Sequence, residues 1–211
     1  MPILTKANII GRITRRDLVF EPQLDQFQLQ THSVDLRLGF SFMLPKVWEM
    51  EKVGRVAINI DPLSGFDKKY YQTIELKPGQ YFEVLPKEFV IVSTLETLKI
   101  PPDIMGVLYP RSSVNRRGLS VDLTGIVDAG YKGKLIIPIR NNTESQVIRV
   151  YPGERFCQIV FYTLNGETQV RTSRYDGVNK SQVGVVREES EIEMKLIREG
   201  KVDSLKRSYK I

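Results

Sequence analysis

KPGQYFEVLPKEFVIVSTLETL (77–98) and YPGERFCQIVFYTL (151–164) decide the fold. Each opens on a Pro-Gly pair, the mark of a tight turn, and runs straight into a stretch rich in Val, Ile, Phe and Tyr. The two turns, KPGQYF at 77–82 and YPGERF at 151–156, are alike. Pro-Gly turns that open apolar strands suit a barrel or jelly roll made of hairpins. Two similar turns do not make a repeat protein.

Working outward, the same texture continues in SVDLRLGFSFML (33–44), DIMGVLYP (103–110), LSVDLTGIVD (119–128), KLIIPIRN (134–141) and SQVIRVY (145–151). These short apolar or alternating runs are separated by Pro-Gly, Asn-Asn or Gly turns. The reading is an all-β domain over 1–165, a distorted β-barrel or jelly roll. A short amphipathic helix precedes it over 5–18, with Thr5 as N-cap and Ile9, Ile10, Ile13 and Leu18 on one face. Beyond 165 the character changes. GETQVRTSRYDGVNKSQVG (166–184) is polar and turn-rich and reads as a C-terminal arm over 166–185. In the mixed-charge extension 186–211, Ile192, Leu196 and Ile197 form a weak helical stripe or belong to a solvated tail.

Composition removes several classes. Of 211 residues 41% are hydrophobic, enough for a core, and 27% are charged. No run approaches the ~20 apolar residues of a membrane span, and the N-terminus lacks the apolar core of a signal peptide. No membrane partner and a cytoplasmic location are expected. The single cysteine, Cys157, and single histidine, His32, allow neither an intrachain disulfide nor a Cys/His zinc cluster. Zinc-dependent deamination is thereby set aside. A Ser-His-Asp hydrolase would need His32 as its base. The net charge of +6 suits nucleic acid or small polyphosphates. The basic residues are scattered except for Arg111, Arg116 and Arg117, and no aromatic–basic ladder is visible. A small polyphosphate is favoured, with no stable nucleic-acid partner.

Those three arginines fall in PRSSVNRRG (110–118). The planar fork of Arg111 pairs bidentately with phosphate, and Ser112 and Ser113 add hydroxyl donors. The alternative is a capped surface turn. GIVDAGYKG (125–133) places one carboxylate, Asp128, in a hairpin bounded by Gly125, Gly130 and Gly133. The main chain at Gly125, Ile126 and Val127 can approach and read a base, Tyr131 can stack under a sugar, and Asp128 can activate a water. A structural Asp capping the turn is the competing reading.

Taken together, these segments resemble the dUTPase/dCTP deaminase family. SVDLRLG (33–39), with Asp35, resembles its first motif, PRSSVNRRG its second, GIVDAGYKG its third and PGERFCQIVF (152–161) its fourth. YDGVNKSQVG (175–184) resembles the arm that closes over the triphosphate. Val178 and Asn179 depart from the arm pattern, while Gln182 and Gly184 match it. The resemblance implies a homotrimer with sites at subunit boundaries. Arg111, Ser112, Ser113 and Gln158 would bind phosphates, helped by Arg116 and Gln182. Mg²⁺ would be held through phosphates and water, with no direct protein ligand. Asp128 would be the base. Asp35 would either orient Asp128 or a metal-bound water, or fix its strand. Asp122 is a further candidate for the pocket.

Two chemistries compete within this family. The N-terminal helix, QTHSVDLRLG and RSSVNRRGL resemble the deaminase branch. That branch, however, carries a proton-shuttling glutamate ten residues after the hairpin aspartate, and here that position is Pro138. The expected activity is therefore a dUTP diphosphatase, with dUTP as substrate, dUMP and pyrophosphate as products, and Mg²⁺ as cofactor. A dCTP deaminase or bifunctional enzyme is the alternative that Pro138 opposes. A catalytically silent nucleotide-binding trimer is opposed by Asp128, Tyr131 and Gln158 together.

Overall fold

The computed structural model describes residues 2–59, 70–122, 125–168 and 188–209. From the N-terminus the elements are α1 (Lys6–Arg15), β1 (Val19–Glu21), β2 (Val34–Pro45), β3 (Trp48–Glu51), β4 (Gly54–Ala57) and β5 (Tyr71–Glu75). Next come β6 (Phe82–Val84), β7 (Phe89–Lys99), β8 (Ile104–Pro110), α2 (Ser112–Asn115) and β9 (Leu119–Val121). The chain continues through β10 (Ile126–Val127), β11 (Lys132–Asn141), β12 (Ile148–Val150) and β13 (Arg155–Thr163) to helices α3 (Glu188–Arg198) and α4 (Val202–Ser208). Two units are distinguished: Met1–Pro45 with Gln72–Val178, and Lys46–Tyr71 with Asn179–Ile211.

The first unit is the expected all-β fold. Its main sheet runs β10-β8-β13-β2-β7-β11-β9, with β1 added on β7 and β5 on β2. Its β1–β7, β10–β8, β11–β7, β11–β9, β13–β2, β13–β8 and β2–β7 pairs are antiparallel. Its two edge strands, β10 and β9, are separated in sequence only by residues 122–125. Five residue steps from Val121 to Ile126 span at most about 18 Å, so the sheet must curl until its edges approach. Period-two alternation supplies the inner face. Val90, Val92, Thr94, Glu96 and Leu98 of β7 are buried, as are Leu135, Ile137, Ile139 and Asn141 of β11. Phe42 stacks on Phe82 at 4.6 Å between ring centres, and Phe20 meets Phe161 edge-on at 6.3 Å. The twin Pro-Gly turns lead into β6 and β13. β6 pairs with β12 in a small separate sheet.

Helix α1 is shorter than the sequence suggests. Thr5 and Asn8 form a reciprocal cap at its start, and Arg16, left-handed at φ 63°, ends it. Ile9 is fully buried, whereas Ile10, one residue further round the helix, is exposed; Leu18 enters the core from beyond the helix. Arg12 holds this corner by pairing with Asp103 and, at 3.2 Å, with Asp17.

In the second unit, β3 and β4 form a hairpin that was not foreseen. Trp48 and Met50 are exposed, and Arg55 lies over the Trp48 ring. Within the 186–211 extension α3 and α4 are helical, and Ile192 of the stripe is exposed. Among the described residues no helix is long and apolar enough to cross a membrane. The arm at 175–184 lies outside the described residues.

Candidate active site

Arg111 follows directly on β8 and caps α2, its carbonyl accepting from Val114 and Asn115 N–H groups. Its guanidinium turns towards β13 and β2. Nε lies 3.3 Å from Asp35 Oδ2, and a terminal nitrogen donates to the Arg155 carbonyl at 3.1 Å. Arg155 in turn donates to the same Asp35 oxygen at 3.1 Å and to the Phe27 carbonyl. One carboxylate thus positions two guanidiniums. The Asp35 side chain is only 3% exposed. Burial pushes its carboxyl above the ordinary value of 3.8, and the neighbouring Arg111 and Arg155 pull against that.

Gln158 completes this group. It sits opposite both Asp35 and Tyr109 in the ladder, and directly opposed residues share a face. Ser33 Oγ lies 3.4 Å from its Oε1. Ser112 and Ser113 are exposed at the start of α2. Arg116 is exposed and forms no ion pair among the described residues, whereas Arg117 pairs with Glu154 at 2.5 Å.

Gln28 and Glu96 lie behind Asp35. Gln28 donates one amide nitrogen both to the Asp35 carbonyl, at 2.9 Å, and to Glu96 Oε1, at 2.7 Å. Glu96 Oε2 accepts from Arg37 N–H at 3.0 Å. Glu96 is 1% exposed, and burial raises its carboxyl above the ordinary value of 4.5. Cys157 lies in the same interior, its thiol pushed well up by burial. Arg155 and the Gln28–Glu96 pair went unremarked in the sequence. Glu96 was findable: it falls in phase with the buried apolar residues of β7.

The hairpin carboxylate lies elsewhere. Gly125 has φ 88°, and its carbonyl accepts from Leu108 N–H at 2.7 Å. Ile126 pairs with Val107 and Val127 with Gly106, which continues to Asp128 beside Met105. Val127 enters the core, Ile126 is 62% exposed, and Asp128 is exposed with no ion pair among the described residues. The Asp128 carbonyl accepts from Tyr131 N–H at 3.1 Å. Tyr131 packs against the core, and its hydroxyl donates to the Lys134 carbonyl at 2.7 Å. From Met105 to Arg111 along β8 is about 20 Å at 3.3 Å per residue. The Arg111 fork also points to the side of β8 opposite β10. Arg111 and Asp128 of one chain are therefore not brought together.

Asp122 is exposed just beyond β9, and its N–H donates to the Pro138 carbonyl at 2.9 Å. Ile139 pairs with Val121, so Asp122 continues the register opposite Pro138. Gln182 lies outside the described residues. No group of three or more His, Cys, Asp or Glu among the described residues could hold a metal ion.

Residues 3–164 match the model of the dCTP deaminase-like family. The chain belongs to that family. A dCTP deaminase, dUMP-forming, of Methanosphaera stadtmanae is 32% identical over 200 residues, covering 91% of this chain and 98% of that one. A protein of the same description from Dictyoglomus turgidum is 38% identical over 169 residues, covering 79% and 83%. Among solved structures, the 2'-deoxycytidine 5'-triphosphate deaminase of Agrobacterium tumefaciens superposes with a TM-score of 0.57 at 28% identity. That match covers 75% of this chain and 48% of the other.

These relatives overturn the expectation of a dUTP diphosphatase, which rested on Pro138 and on the lack of an acid along β11. Across the β9–β11 ladder, Asp122 stands opposite Pro138 and puts a carboxylate on the same face. The chain is an enzyme of nucleotide metabolism, and its relatives are deaminases that form dUMP.

Proposed function

We propose that this protein converts dCTP to dUMP. The change requires two additions of water. One, at C4 of cytosine, replaces the amino group and releases ammonia; the other, at the α-phosphorus, releases pyrophosphate. The observation that carries the reading on this chain is the pair of guanidiniums, Arg111 and Arg155, fixed on the buried carboxylate of Asp35. A planar, pre-positioned fork is suited to a phosphate chain.

Arg111, Ser112, Ser113 and Gln158 bind the phosphates, with Arg116 and Gln182 as helpers. The main chain at Gly125, Ile126 and Val127 faces the base, and Tyr131 faces the sugar. Asp128 takes the proton of the water that attacks phosphorus. Asp35 positions the guanidiniums rather than touching the reacting atoms. Mg²⁺ would be carried on the triphosphate and its waters and would supply charge neutralisation.

The site forms between copies of the chain, in a homotrimer. Two observations support this: Arg111 and Asp128 stand at opposite ends of β8, and Ile126 and Tyr109 are exposed on the same sheet. The lone, buried cysteine and the lack of disulfides are in keeping with a cytoplasmic location.

The test is product analysis after incubation with dCTP and Mg²⁺. Ammonia, pyrophosphate and dUMP in equal amounts are expected. Failure to release ammonia from dCTP would refute the reading.

A further inference from the structure

Replacing an amino group on a ring carbon by water needs a group that takes a proton from the water and returns one to the departing nitrogen. Strand β11 offers no carboxylate: Leu135, Ile136, Ile137, Pro138 and Ile139 carry no ionisable side chain, and its charged residues, Lys132, Lys134 and Arg140, are all cationic. Zinc-activated water would draw on Cys and His ligands, and the sequence holds one of each. The buried acids are committed elsewhere. Asp35 is shared by Arg111 and Arg155, and Glu96 accepts bonds from Gln28 and Arg37 through both oxygens. Asp128 lies at the far end of the hairpin, after β10.

Unlike Asp35 and Glu96, Asp122 is exposed and forms no ion pair among the described residues, and unlike Asp128 it stands opposite Pro138. Its backbone N–H is fixed on the Pro138 carbonyl at 2.9 Å. The register from Ile139–Val121 continues to Pro138–Asp122. Directly opposed residues have Cβ atoms about 4.5–5.5 Å apart on the same face, so the Asp122 carboxylate stands beside the Pro138 ring. Proline has no N–H and no polar side-chain atom with which to tie that carboxylate down.

We infer that Asp122, presented from β9, moves the protons of deamination at the place where β11 has Pro138. The inference rests on the proposed conversion of dCTP. Asp122 accepts a proton as the water oxygen bonds to C4. The ring nitrogen and the amino nitrogen gain protons, the C4–N bond breaks, and ammonia leaves as the C4 carbonyl forms. The carboxylate is regenerated, and no oxidant or reductant takes part. Asp128 then serves the attack on phosphorus, so the two water additions use two different carboxylates of the 119–128 segment.

The experiment measures ammonia from dCTP and pyrophosphate from dUTP in separate reactions of the full-length protein. For Asp122→Asn, ammonia release is expected to fall about 100-fold, within the range usual for loss of a proton-transfer group. The ratio of ammonia release to pyrophosphate release is expected to fall at least about tenfold. Pro138→Glu added to Asp122→Asn restores ammonia release by returning a carboxylate to the same face. Deamination by Asp122→Asn at the parental rate would overturn the assignment while leaving the proposed conversion intact. A parent protein that releases no ammonia from dCTP fails the conversion itself. Equal losses in both reactions, with no recovery in the double variant, identify Asp122 as a structural residue and also overturn the assignment.

Discussion

Glu96 is an acid at an inward position of an otherwise apolar strand, held by one side-chain amide and one backbone N–H. Neither partner carries a charge, so burial dominates and the carboxyl stays protonated to higher pH than usual. The sign follows. The folded chain binds this proton more tightly than the unfolded chain, so the contribution of Glu96 is complete below pH 4.5 and is lost as pH rises through the folded value. Replacing it by Gln puts an NH₂ where an acceptor is needed, and costs about 1–3 kcal/mol. The stability gap between parent and Glu96→Gln is therefore expected to narrow as pH climbs from 4.5 to neutrality, measured by urea unfolding at successive pH values. A gap that widens instead would mean that Gln28 and the Arg37 N–H stabilise the anion. Residue types singled out Arg111 and Gln158, and the structure gathers both around Asp35. The pairing of Arg155 with Asp35 was not legible, because it depends on how β13 lies against β2. A register irregularity between Arg155 and Cys157 breaks the simple count there.

At the scale of elements, two glycines separate backbone freedom from close packing. A Cβ on Gly39 of β2 would stand 2.6 Å from Ser93 Oγ, 2.8 Å from the Ser93 carbonyl oxygen and 2.9 Å from that of Thr94. Two of these three atoms are backbone and cannot swing away. Gly39→Ala is expected to destabilise by about 1–3 kcal/mol, as overpacking does. Gly11 inside α1 meets only the end of Arg15, at 3.8 Å, and Gly11→Ala is expected to stabilise by about 0.5–1 kcal/mol. Melting temperatures that move in opposite directions are the check; a fall for both would mean that α1 also resists a methyl group. Most strands were legible, because Pro-Gly turns and period-two burial leave direct marks, as in β7 and β13. The β3–β4 hairpin was not, because Trp48 and Met50 are exposed and so report no core. The end of α1 was overshot because Leu18 is apolar for a reason unrelated to the helix.

At the scale of the whole molecule, what matters is the distance between Arg111 and Asp128. They lie at opposite ends of β8, about 20 Å apart along the strand. The Arg111 fork faces Asp35 and Arg155, on the β13 side, and β10 lies on the other side of β8. Under the proposed function, the water that Asp128 activates must nevertheless lie within hydrogen-bond reach of the phosphate chain assigned to Arg111. A second copy that brings its Arg111 to the Asp128 of the first removes the conflict. Chains carrying Arg111→Ala and chains carrying Asp128→Asn should each be inactive alone. Unfolded together in equal amounts and refolded, they pair an intact Arg111 with an intact Asp128 wherever the two variants meet in the right order. In a ring of heterologous contacts, random mixing makes about one site in four intact, so roughly a quarter of the parental activity returns. The readout is pyrophosphate release from dUTP, which does not depend on deamination. Recovery would require each site to draw on two chains. Activity that stays at the level of the separate variants would place Arg111 and Asp128 in one chain's site, and the hairpin would then have to move relative to β8.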